Sequence, residues 1–329
     1  MTAIAPHITA FLRERLPRQR GASEHTCQSY AYAFQLLFLY ASVRLHVQPS
    51  ALALEQLDAP LIMDFLEQLE TKRGNKASTR NARLAAIKSF MRFCEYREPA
   101  VLEQSRRILA IPFKRVDVAL IDHLTIAEME AVLNAPDLRV RDGLRDRAML
   151  HLCFSAGLRV SELVGLPLAA LDLQSSPSLR VQGKGRRERC LPLWKHAATD
   201  LRAWLAVRAE ALAPELFLNA RGQPMTGSGF EYILRKHVRT ASEPCPSLKA
   251  KRVSPHVLRH TCAMMILQAT GDLRKVSLWL GHADMKTTEI YLRADPTDKL
   301  EAIAAITPPA LKRGRFQMPD KLIASLQPS

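Results

Sequence analysis

Apolar residues recur at helical spacing through most of this chain, and the main departure is a single stretch, 178–193 (SLRVQGKGRRERCLPL). Within 23–41, Tyr30, Phe34, Leu37 and Phe38 fall three or four apart, which puts them on one helix face behind Ser23 as N-cap. The same spacing predicts a helix over 59–71, entered at Pro60 and carried by Ile62, Phe65, Leu66 and Leu69. A third is predicted over 77–96, where Leu84, Ile87, Met91 and Cys94 share a face. Residues 98–122 lose the period, contain Pro99 and Pro112, and read as a linker. Thr125-x-x-Glu128 then forms a capping box that opens a new helix. Further helices are expected near 196–211, 227–240, 255–269, 272–280 and 284–293. In the exceptional stretch, β-prone residues flank Gly183-Lys184-Gly185, which reads as a tight turn between two strands. The expected fold is mainly α with a small antiparallel β-sheet. A length of 329 residues allows two domains. With the boundary near 115–122, they span 1–115 and 116–307 and leave a tail at 308–329.

Charge narrows the partners. Lys and Arg number 47 against 32 Asp and Glu, a net +15. Up to residue 115 there are 17 basic and 10 acidic residues, and beyond it 30 and 22, so both halves are positive. Such an excess attracts a polyanion. No run approaches the roughly 18 apolar residues of a spanning helix, and the N-terminus lacks a secretory pattern, which favours a cytoplasmic protein working at the nucleoid over a membrane one. Lys76, Arg80, Arg83 and Lys88 line the side of the 77–96 helix away from its apolar face, with little acid between them. They are candidates for phosphate contacts, as are Arg186 and Arg187 beside the turn. The six cysteines are scattered without a Cys-x-x-Cys pair and read as small apolar residues. Cys245, His256, His260 and Cys262 lack the paired spacing of a zinc site.

Five segments carry chemistry: Gly157-Leu158-Arg159-Val160-Ser161-Glu162-Leu163, Gly183-Lys184-Gly185, Pro255-His256-Val257-Leu258-Arg259-His260-Thr261, Leu280-Gly281-His282, and Tyr291. A tyrosine oxygen can hold a phosphoryl group covalently, which allows a phosphodiester to be broken without losing its energy to water. A phenol has a pKa near 10 and must shed its proton during attack. Charge then builds on the non-bridging oxygens, and the planar fork of Arg159 or Arg259 suits them. Taken alone, Arg159 could equally pair with Glu162, three residues on. His256 and Arg259, three apart on a helix, share a face, whereas His260 is expected to point elsewhere and serve structure. The departing 5′ oxygen needs a positioned acid. No Gly-x-x-x-x-Gly-Lys-Ser/Thr loop and no acidic cluster of a two-metal nuclease is present, so no metal, ATP or other cofactor is expected.

In this order and spacing the segments resemble the catalytic signature of the tyrosine recombinases, the lambda integrase-like family. The likeness runs through roughly 120–295 and, more weakly, through the N-terminal helices, which resemble that family's SAM-like core-binding domain. It implies a site-specific recombinase with Arg159, Lys184, His256, Arg259, His282 and Tyr291 as catalytic residues. Tyr291 is then the nucleophile, Lys184 the acid for the leaving 5′ hydroxyl, His256 its acid/base partner and His282 a phosphate donor. It also implies a 3′-phosphotyrosyl intermediate, a Holliday junction, and a tetramer of two dimers on double-stranded DNA with short inverted-repeat sites. The Xer-type and mobile-element members resemble it best. Arg293 is a departure, since many members carry a histidine two residues past the tyrosine. Two rivals stand beside this reading: a type IB topoisomerase-like enzyme, and a catalytically inactive DNA-binding relative. An apolar-faced segment at about 319–326, after Pro308-Pro309, suits docking on a neighbouring protomer and disfavours the first. The complete residue set disfavours the second.

Overall fold

The chain folds as two units, Met1–Val118 and Ala119–Ser329, each with its own core. The structure is a computed structural model and describes residues 1–116, 122–183, 188–208, 213–282 and 287–294. The Gly183-Lys184-Gly185 turn beyond Gly183, Arg186, Arg187 and the 319–326 segment therefore lie outside the described residues. No helix among those described is long and apolar enough to cross a membrane.

The N-terminal unit is helical. Helix α1 (Ile4–Ala10) runs into a π-helical stretch, Phe11–Gln19, whose wider turns accommodate Pro17. Helix α2 (Glu24–Leu45) starts as expected, with Ser23 accepting the Thr26 N–H. Helix α3 (Ala59–Thr71) is capped by Asp58, and α4 (Ala77–Glu95) follows. Their apolar faces meet in an aromatic cluster, where Phe90 packs 5.4 Å from Phe11 and 5.3 Å from Phe34 between ring centroids.

Two expectations for this unit fail, for one reason. The supposed linker contains a helix, α5 (Leu102–Ala110), packed on α3 and α4 with Ile108 buried. Nor does the basic stripe of α4 face outward as a set of phosphate contacts, because Arg80 and Lys88 are buried. Arg80 Nη1 donates to the Pro112 carbonyl at 3.1 Å, and Lys88 Nζ donates to the Leu109 carbonyl at 2.8 Å beneath the Phe113 ring. These cations satisfy carbonyls at and just beyond the C-terminal end of α5, where the helix dipole also favours positive charge. Arg83 is half-buried, donating to the Ser29 carbonyl at 3.1 Å and stacked over Tyr32. Only Lys76, at the N-cap of α4, is exposed.

The second unit opens at the predicted capping box. Glu128 N–H donates to Thr125 Oγ1 at 3.2 Å and Thr125 N–H to Glu128 Oε2 at 2.8 Å, starting α6 (Ile126–Asn134). Helices α7 (Arg141–Ser155) and α8 (Val160–Val164) follow. A three-stranded antiparallel sheet comes next, β1 (Leu171–Asp172), β2 (Ser178–Gln182) and β3 (Glu188–Pro192), in that spatial order. Its last pair, Gln182↔Glu188, leaves 183–187 as the β2–β3 connection. Helices α9 (Lys195–Val207), α10 (Gly227–Ala241), α11 (Pro255–Thr270) and α12 (Leu273–Leu280) then complete the core. Within the last expected helix, 287–289 form a turn, and the described part of α13 is Ile290–Ala294.

Candidate active site

The site is assembled where α7, α11 and α12 converge, and two glycines make the approach close enough. Gly157, just after α7, has φ +57°, and a Cβ there would sit 2.6 Å from Leu280 and 3.2 Å from the Cys262 sulfur. Gly281 ends α12 at φ +64°, and a Cβ there would sit 2.9 Å from the Arg189 guanidinium. The chain thus turns sharply into Leu158-Arg159 on one side and into His282 on the other.

Arg259 lies on α11 with 4% of its surface exposed. It donates to the Gly157 carbonyl and, at 2.7 Å, to the Leu280 carbonyl, so both turns are tied to one guanidinium. Burial, and then the charge of Arg159, lower its pKa to about 10, which leaves it charged at neutral pH.

One buried carboxylate organises the cations. Arg159 is the N-cap of α8; its N–H donates to Glu162 Oε2 at 3.0 Å and its guanidinium to Oε1 at 2.8 Å. From β3, Arg189 grips the same carboxylate with bonds of 3.2 and 2.8 Å, and Arg259 stands 3.9 Å away. Burial opposes ionisation of Glu162, but the Arg189 hydrogen bonds, the Arg159 N–H and the charges of both arginines hold it below the ordinary carboxylate range. Three guanidiniums around one carboxylate leave two positive charges uncompensated among the described residues. Arg159 pairs with Glu162, and about a third of its side chain remains exposed.

Tyr291 enters from α13 and is 1% exposed. Its hydroxyl lies 2.9 Å from His260 Nδ1, and the two ring centroids are 5.6 Å apart. The His282 ring stacks parallel to Tyr291 at 6.5 Å, its Nδ1 being 2.8 Å from Thr288 Oγ1. Burial pushes the Tyr291 phenol up to about 12 against the opposing charge of Arg259. Burial and the neighbouring cations hold His260 and His282 neutral, each down to about 4. His256 is exposed on the first turn of α11, its ring 6.4 Å from that of His260.

Of the six expected catalytic residues, five are described, and Arg159, Arg259, His282 and Tyr291 gather in one place, with His256 at its edge. Lys184 lies outside the described residues. The expectation that His260 points away is overturned, since it is the residue that touches the Tyr291 oxygen. Its four-residue spacing from His256 is the helical signal that places both on one side. Glu162 entered the sequence reading only as a partner for Arg159. Arg189, on strand β3, carried no sequence signal at all.

Comparison with known proteins identifies the family. Residues 122–298 match the phage integrase family, and residues 8–98 match its N-terminal SAM-like domain. The chain is 43% identical over 324 residues to y4rC of Sinorhizobium fredii, named as an integrase/recombinase, covering 98% of each protein. It is 35% identical to the tyrosine recombinase XerC of Pelotomaculum thermopropionicum, over 87% of this chain and 92% of that one. In fold it is similar to the Tn1549 transposon integrase in complex with circular intermediate DNA, with TM-score 0.68, 16% identity, and 92% and 99% of the two chains covered. The XerH recombinase bound to difH substrate after cleavage gives TM-score 0.65, 21% identity, and coverage of 90% and 84%. The chain belongs to the phage integrase family and is a tyrosine site-specific recombinase, an enzyme that breaks and rejoins DNA.

Proposed function

We propose that Tyr291 is the nucleophile, that Arg159 and Arg259 receive the scissile phosphate, and that His256, His282 and Lys184 complete the catalytic set. The observation that carries this is the surplus positive charge around Glu162 beside a buried phenol. Two uncompensated guanidinium charges form an anion site, and the Tyr291 phenol lies within the field of Arg259 and Arg159. The Tyr291 oxygen attacks phosphorus, the P–O5′ bond breaks, and a 3′-phosphotyrosyl link and a free 5′ hydroxyl result. A 5′ hydroxyl from a partner duplex attacks that link in turn, giving a Holliday junction and then recombinant DNA. Phosphodiester bonds are conserved, so the energy of rejoining is held in the protein–DNA bond and no ATP or metal is called for.

The wider assembly follows the family: a tetramer of two dimers on short inverted repeats, working on nucleoid DNA in the cytoplasm. Residues 1–115 hold one side of the duplex, 116–307 cleave it, and the apolar-faced 319–326 segment docks on a neighbouring protomer. Lys76, Arg186 and Arg187 are the phosphate contacts outside the active site, whereas Arg80 and Lys88 are withdrawn from that role by their burial. Tyr291→Phe tests the central assignment, since it removes only the phenolic oxygen. On a nicked duplex built from DNA trapped covalently on the wild-type protein, the variant is expected to bind normally and to give no covalent adduct on a denaturing gel. An adduct of undiminished yield would move the nucleophile elsewhere.

A further inference from the structure

Something must take the phenolic proton when Tyr291 attacks. The histidine assigned by family likeness, His256, sits exposed at the first turn of α11, and no hydrogen bond among the described residues joins it to the phenol. The group in contact is His260, with Nδ1 at 2.9 Å from the Tyr291 oxygen, inside the range for direct proton transfer. Every charged or titratable neighbour bears on that contact. On its own helix His260 faces His256 and Arg259; across from it are Tyr291 on α13 and His282 after α12. Tyr291 in turn faces Arg259, Arg159 and the Cys262 thiol. Burial, and then the cationic surroundings, keep His260 neutral at rest with a free lone pair.

We infer that His260, in its Nε2–H tautomer, accepts the Tyr291 hydroxyl proton at Nδ1 and is the general base of strand cleavage. As the Tyr291 Oη–P bond forms and the P–O5′ bond breaks, the proton passes from Oη to Nδ1. The leaving O5′ takes a separate proton, the step proposed for Lys184. In rejoining, the imidazolium returns its proton to Oη as the tyrosine departs. At rest His260 is a weak base, held down by burial and by the positive charge of His256 (when protonated) and Arg259. Phosphate bound between Arg159 and Arg259 brings the negative charge that strengthens it when the proton must move. The inference rests on Tyr291 as nucleophile, and its test separates the two.

The measurement is single-turnover cleavage of the nicked duplex at saturating DNA, across pH, for wild type, His260→Ala and His260→Asn. Asparagine can offer Oδ1 near the position of Nδ1 and so holds the phenol, yet it cannot store a proton. A base role predicts that both variants lose roughly a hundred- to ten-thousand-fold in rate. Their residual rates should climb about tenfold per pH unit toward alkaline pH, because hydroxide must then ionise the phenol. A duplex with sulfur in place of the bridging 5′ oxygen adds a second readout, since a thiolate leaves without a proton. It should restore Lys184→Ala and leave His260→Ala defective. Three results would overturn the inference: recovery of the rate in His260→Asn, rescue of His260→Ala by the sulfur substrate, or faster cleavage by His260→Ala. The last would make the contact a brake on Tyr291. Failure of the nucleophile assignment is distinct, because Tyr291→Phe would then still form adducts.

Discussion

Two groups of cations behave oppositely in the two units. On α4, Arg80, Arg83 and Lys88 each meet a backbone carbonyl of their own unit, and two of the three are buried. Around Glu162, Arg159, Arg189 and Arg259 crowd one carboxylate and exceed it in charge by two. In sequence the α4 stripe and the separate Arg159 and Arg259 all read as positive charge suited to phosphate, and Arg189 did not. The difference lies in where their donors are directed. On α4 the buried head groups are tied to carbonyls of the fold and keep their charge there, whereas around Glu162 the surplus charge includes an Arg159 head group still about a third exposed and able to meet an anion.

The strongest way to break this contrast is to remove the most buried cation of the surplus group. Arg259→Ala is expected to slow cleavage by about a thousandfold, the loss typical of one pre-aimed charge donor at a transition state. Arg259→Lys should recover little, because a single ammonium cannot span the Gly157 and Leu280 carbonyls and still face phosphate. Single-turnover cleavage at saturating DNA measures both. A loss below tenfold in either variant would show that the surplus charge is not what drives the chemistry.

The same contrast explains what the sequence showed and what it hid. Helices α3 and α4 were legible almost to the residue, because their apolar periods are strong and they start at a clean cap or breaker. The Thr125–Glu128 capping box was legible for the same reason, since its hydrogen bonds close within four residues. Helix α5 was not. It is nine residues long, and only Ser105 and Ile108 are buried, too few to show a period. Once α5 is missed, its terminal carbonyls are missed too, and the α4 stripe is left looking like a free basic face. The active site shows the same limit. Gly157-Leu158-Arg159, His256-x-x-Arg259 and Tyr291 stood out as residue types in order. Arg189 did not, because only the fold brings β3 against Gly281 and Glu162.

A second prediction concerns Glu162, the sole carboxylate of its cluster among the described residues. Glu162→Gln keeps the shape and removes the charge, leaving three guanidiniums facing one another. Breaking a buried pair in this way costs about 3–5 kcal/mol. A lower melting temperature is expected, together with partial recovery in sulfate, which can take the carboxylate's place as counter-ion. The pH dependence has a definite sign. The folded-state pKa of Glu162 is depressed, so its contribution is present above the ordinary carboxylate pKa of 4.5 and fades as pH falls below that value toward its lowered one. Wild type should therefore lose more stability than Glu162→Gln on acidification through this range. Equal melting temperatures for the two at pH 7 would mean that the arginines do not need Glu162.

The smallest expected effects sharpen the other side of the contrast. Lys88 is buried against the Leu109 carbonyl and the Phe113 ring, and burial, then the charges of Arg92 and Arg80, lower its pKa. Lys76 is exposed, and its side chain makes no capping hydrogen bond at the start of α4. If a cation contributes to DNA affinity only when it has no internal partner, the two should differ in salt dependence. Lys76→Ala should weaken binding to any duplex and reduce the slope of log K against log salt by roughly 1, as removal of a single phosphate-neutralising charge does. Lys88→Met keeps the stem and loses the charge, leaving the Leu109 carbonyl without its donor. Its cost is about 1 kcal/mol in folding stability, with the salt slope unchanged. Fluorescence titrations of both variants at several salt concentrations, beside urea melts, measure all four quantities. A shallower slope for Lys88→Met would mean that the carbonyl hydrogen bond breaks when DNA arrives and that α4 turns its stripe outward after all.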